Sequence, residues 1–121
     1  NEVLIYDSND GWVTQESAGV GFDIAGGTVS GYVLTGGGYN NTSGNPTIYV
    51  YRGFTYRFNN LTGSGHPFAI RQSAGGSAVT GIAGSQNGIQ YWTVPMTLSA
   101  GTTYVYQCTL HSGMVGNIVV V

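Results

Sequence analysis

Glycine interrupts this chain so often that long helices have little room to form. Twenty-one glycines are spread over 121 residues, and the runs between them are rich in Thr, Tyr, Val and Ile. Glycine weakens the interior of a helix, while β-branched and aromatic residues suit a pleated strand. The chain therefore reads as short strands joined by turns. The runs are Val3–Tyr6, Thr28–Leu34, Thr47–Arg52, Thr55–Asn59, Phe68–Arg71, Ile89–Val94, Thr102–Gln107 and Asn117–Val121, separated by Gly, Asn, Pro and Ser clusters. About eight strands in a chain of this length predict an all-β sandwich in one domain, residues 1–121. The segment from Gly36 to Pro46 reads as a long exposed connection. The part before it has too few apolar residues for a core of its own and is expected to add strands to the same sandwich.

The chemistry concentrates in Cys108-Thr-Leu-His111-Ser-Gly-Met114, which lies between two strand-like runs and so has to be a loop. A thiolate, an imidazole and a weak axial thioether are three of the ligands of a trigonal blue-copper centre, which needs one more histidine. His66, just before the run Phe68–Arg71, is the one candidate. Taken singly, a histidine is most often a surface or satisfied core residue, and a lone cysteine a small buried apolar one. Taken jointly the pattern is hard to ascribe to chance. The chain has one cysteine, two histidines and two methionines, and all but Met96 fall at ligand positions. Met96 itself reads as a gap-filler near a turn.

The pattern Tyr106-x-Cys108-x-x-His111-x-x-Met114-x-Gly116, with Gly65-His66-Pro67-Phe68 upstream, resembles the cupredoxins, small electron-transfer domains with one type 1 copper. The resemblance covers roughly 46–121, and the short ligand loop is most like that of the amicyanins within the family. It implies a Greek-key β-sandwich with one copper per chain. His66, Cys108 and His111 would be the equatorial ligands and Met114 the long axial one. Pro67 departs from the family pattern. Most small members carry there a residue whose backbone N–H donates to the cysteine sulfur, and proline has none. A sulfur that keeps more charge favours Cu(II), so the expected reduction potential is lower than that of a site with the donor.

Other functions find less support. Charged residues are 7% of the chain, with no lysine and only Arg52, Arg57 and Arg71 as cations, a balance that argues against nucleic acid. No stretch approaches the roughly 20 apolar residues of a membrane-spanning helix. A single cysteine leaves no internal disulfide. Both histidines belong to the proposed site, so none is left for a second copper or for acid–base catalysis, and the chain reads as a non-enzyme. Trp12, Trp92 and the tyrosines read as sheet packing, and the glycosylation sequons at Asn40, Asn41 and Asn60 carry little weight in a chain so rich in Asn and Thr.

The expected role is single-electron transfer through Cu(I)/Cu(II). A redox partner protein would dock weakly near His111, on a rim that includes Pro67, Leu110 and Val115. The alternative is a structural or adhesion module with the same fold, in which copper is a staple or absent and the partners are neighbouring subunits of a larger assembly. The low charge and the Gly, Thr, Asn and Tyr content suit such modules, and the two ligand segments also resemble cupredoxin-like domains in structural proteins of marine bacteriophages. A carrier is expected in the periplasm or outside the cell, a phage module on the virion surface. The start at Asn1 reads as processed or excised.

Overall fold

The computed structural model describes residues 20–27 and 29–121 in full, and only the backbone of two strands among the first nineteen. The strands are β1 (Val3–Asp7), β2 (Gly11–Gln15), β3 (Gly21–Gly27), β4 (Gly31–Gly36), β5 (Tyr39–Thr42), β6 (Ile48–Val50), β7 (Thr55–Asn60), β8 (Phe68–Arg71), β9 (Ile82–Gly84), β10 (Ile89–Thr93), β11 (Thr103–Cys108) and β12 (Val115–Val120). A 3-10 turn at Gly63–Gly65 is the one helical element among the described residues. No helix there is long and apolar enough to cross a membrane.

Burial alternates along the strands as a two-residue repeat requires. Tyr56, Phe58 and Asn60 of β7 point inward, as do Gln90 and Trp92 of β10 and Gly116, Ile118 and Val120 of β12. The inward sets build two sheets, one in the order β5-β4-β3-β7-β10-β9 and one in the order β6-β12-β11-β8. Each holds one parallel pair, β3 with β7 and β6 with β12. The sheets face each other across a single aromatic-rich core, to which both contribute. Tyr32 meets Phe68 edge-on with centroids 5.1 Å apart, Phe58 lies 5.6 Å from Phe68, and Trp92 meets Tyr104 at 5.9 Å. Each such side chain, once buried, stabilises the fold by about 1.5–3 kcal/mol. The connections β5–β6, β6–β7, β7–β8, β8–β9 and β10–β11 pass from sheet to sheet, as in a Greek key. The expected all-β sandwich is the fold observed.

Three details differ from the expectation. The described strands number twelve rather than eight: β3, β5 and β9 carry weak strand signals, and β2, whose Trp12-Val-Thr14 does suit a strand, is not among the expected runs. The stretch from Gly36 to Pro46 is not loop throughout, since β5 lies within it and pairs with β4 through an irregular register at Leu34 and Gly36. Met96 fills no core gap; it is 72% exposed, with its sulfur over Gly53. Trp92 is core, as expected, and its indole N–H donates to the Thr80 carbonyl at 3.1 Å. Thr28 and the side chain of Trp12 lie outside the described residues.

Sheet register fixes where the site forms. Cys108, the last residue of β11, stands opposite Phe68, the first of β8. His66, two residues before Phe68, is thereby delivered to the end of β11. The family-like glycine Gly116 stands opposite Tyr106, and a Cβ there would lie 2.3 Å from the Tyr106 ring. Only glycine lets that ring lie across the strand and send its hydroxyl to the Pro46 carbonyl.

Candidate metal centre

A tight turn shapes the loop between β11 and β12. The Cys108 N–H donates to the Met114 carbonyl at 2.9 Å, and the Met114 N–H to the His111 carbonyl at 3.0 Å, which folds His111 back over the end of the strand. The Thr109 N–H donates to the Pro67 carbonyl at 3.2 Å, tying this loop to the segment that carries His66. The Cys108 sulfur then lies 3.7 Å from Nδ1 of His66 and 3.5 Å from Nδ1 of His111. One donor atom from each of the three residues lies within 4.8 Å of the others, the only such His/Cys/Asp/Glu group among the described residues.

These distances suit a shared metal. Bonds of about 2.3 Å to sulfur and 2.0 Å to nitrogen, opened by about 120°, hold the two donors about 3.7 Å apart. Cys108 is buried, His66 half-buried and His111 exposed. Met114 is buried at the foot of the same loop, where its side chain joins the core and its backbone bonds to both Cys108 and His111. The expected rim is only partly open: Leu110 is exposed, Pro67 and Val115 half-buried.

Three polar residues that the sequence did not assign to the site surround the centre. Asn60 faces inward from the end of β7 and is 4% exposed. Its Nδ2 donates to the His66 and Gln86 carbonyls, both at 2.8 Å, while its Oδ1 accepts from the Thr62 N–H and hydroxyl. An amide so engaged is closed to glycosylation in the folded chain, unlike the exposed Asn40 and Asn41. Tyr32, from β4, sends its hydroxyl between the His66 and Pro67 carbonyls, at 2.9 and 3.0 Å. Burial, and after it the neighbouring Cys108, pushes this phenol well above the ordinary tyrosine range. Gln107 is 3% exposed on the outer face of β11 and bonds to the ligand loop. The available signal was a polar residue at a strand position whose neighbours on the same face are apolar, as Asn60 follows Tyr56 and Phe58.

Pro67 stands beside the centre without an N–H to give. The next amide, that of Phe68, is used by the Gln86 carbonyl at 3.0 Å.

No protein-family model matches the sequence, and no curated protein matches it. Among solved structures the chain is similar to a reduced mutant of amicyanin, with 25% identity over 88% of this chain and 85% of that one and a TM-score of 0.49. It is also similar to the reduced Cu(I) form of another amicyanin mutant, with 24% identity over 90% and 86% of the two chains and a TM-score of 0.45. The copper protein rusticyanin shares 24% identity over 84% of this chain and 76% of its own, with a TM-score of 0.47. Both are cupredoxins. At these TM-scores they are likenesses only, and the functional reading rests on the chain's own side chains.

Proposed function

We propose that the protein binds one type 1 copper and carries single electrons. The observation behind this reading is the thiol of Cys108 flanked by two imidazole nitrogens at 3.5 and 3.7 Å. His66, Cys108 and His111, with Met114, would hold the metal, a thiolate, two imidazoles and a thioether being the donor set that suits type 1 copper. The copper would supply a Cu(I)/Cu(II) couple. The protein's part is to hold its ligands still and keep water from the sulfur. Cys108 is 1% exposed, at the end of a strand paired on both sides. Asn60 and Tyr32 hold the His66 carbonyl and so fix the backbone from which the imidazole projects. A site that keeps its shape suits rapid transfer, because little has to rearrange when the charge changes.

His111, the exposed member, offers the route to a partner protein docked on the rim formed with Leu110, Pro67 and Val115. We place the chain among carriers rather than enzymes, since its two histidines are both engaged in this one centre. The core shared by β3 to β12 favours one domain over residues 20–121. Voltammetry of the copper-loaded chain tests the role. A reversible one-electron couple is expected; bound copper that exchanges electrons only sluggishly would contradict the carrier role and favour copper as a structural staple.

A further inference from the structure

We propose that Gln107 is a positioning residue for the ligand loop, gripping it from the face of the sheet opposite the metal. The inference rests on the copper reading above. The side chains of residues 109–113 are all exposed, so apolar packing does little to hold them. Backbone hydrogen bonds hold the roots of the loop at Cys108, Thr109 and Met114. Between His111 and Met114, Nε2 of Gln107 donates to the Ser112 carbonyl at 2.8 Å. Apart from the contacts among the ligands themselves, this is the one side-chain hydrogen bond to residues 109–113 among the described residues.

The other end of the amide is equally fixed. Oε1 accepts from Nη1 of Arg71 at 2.7 Å and from the Gly75 N–H at 2.8 Å. A guanidinium can only donate, so the oxygen must face Arg71 and the NH2 group must face Ser112. Arg71 ends β8, and Gly75 belongs to a loop closed on itself by bonds from Gln72 to Ser77 and from Gly76 to Ser73. Gln107 thus joins three chain segments through one buried amide. Because successive residues of a strand face opposite ways, the residue before Cys108 reaches the loop from outside while Cys108 enters the centre from within. Loosening Gln107 should free the backbone from His111 to Met114 without disturbing the β11–β12 ladder.

Two full-length variants test this. Gln107→Leu removes the whole link. Gln107→Glu keeps the acceptor for Arg71 and Gly75 but sets an oxygen against the Ser112 carbonyl. Amide hydrogen exchange of the metal-free chain should speed up about tenfold at Met114 in both variants, while Tyr106 and Ile118 in the β11–β12 ladder stay protected. In the copper-loaded chains the thiolate-to-copper band should shift or broaden in both. Unchanged loop exchange in the Glu variant would overturn the proposal, and so would a loss of protection spread equally over the ladder. If the parent chain shows no such band with copper, the copper reading fails, and the exchange measurement still decides the role of Gln107.

Discussion

Among single residues, the ones that hold the candidate ligands in place matter as much as those ligands themselves. Asn60 makes its hydrogen bonds in a nearly closed site, so Asn60→Ala strands several partners and should cost about 3 kcal/mol, readable by chemical denaturation. A cost below that of an ordinary surface substitution would mean that water takes over those bonds. Tyr32→Phe should be milder, about 1 kcal/mol, because the His66 carbonyl keeps Asn60 and the Pro67 carbonyl keeps the Thr109 N–H. Pro67→Ala restores an N–H beside the centre and is expected to raise the reduction potential of the copper-loaded chain; a fall or no change on voltammetry would contradict the tuning argument. That His66, Cys108 and His111 come together was legible in the sequence because their residue types are rare here and their spacing is chemically specific. Asn60, Tyr32 and Gln107 were not, because Asn and Tyr abound in the chain and a buried amide looks the same in sequence as an exposed one.

At the scale of elements, register decides where the candidate site forms. The pairing of Cys108 with Phe68 carries His66 to the centre across 42 residues of sequence. The crossing of Tyr106 over Gly116 keeps β11 and β12 close behind the loop. Gly116→Ala puts a methyl into the Tyr106 ring and should cost about 1–3 kcal/mol, measured as a drop in Tm. An unchanged Tm would show that the ring has room to move. Strands with clear alternation, such as β7 and β10, were legible within a residue or so. Of those missed, β3, β5 and β9 have less to show. Tyr39-Asn-Asn-Thr42 is half asparagine and sits at a sheet edge, β9 has three residues, and β3 hides Phe22 and Ile24 among Gly, Asp and Ala. Ladder bonds to a neighbour define these strands, and the neighbour is not visible in a local window.

Across the whole molecule, buried phenols set the alkaline limit of stability. Burial raises the pKa of Tyr32, Tyr39, Tyr56 and Tyr106. Below about pH 10 these groups are neutral whether the chain is folded or not; above it the unfolded chain loses protons more readily, so stability falls as pH rises. Phenolate absorbance should therefore lag behind free tyrosine and then rise together with unfolding seen by circular dichroism. Complete titration near pH 10 in a folded chain would contradict this. Copper should act in the opposite sense, stabilising the fold by about 4 kcal/mol at a free concentration roughly a thousand times Kd. The most direct test of the central claim is an optical titration of the purified chain with Cu(II), run beside Cys108→Ser. An intense visible thiolate-to-copper band that saturates at one copper per chain and is lost in the variant is the predicted result; a folded chain that takes up copper without that band, or shows it equally without Cys108, would contradict the account.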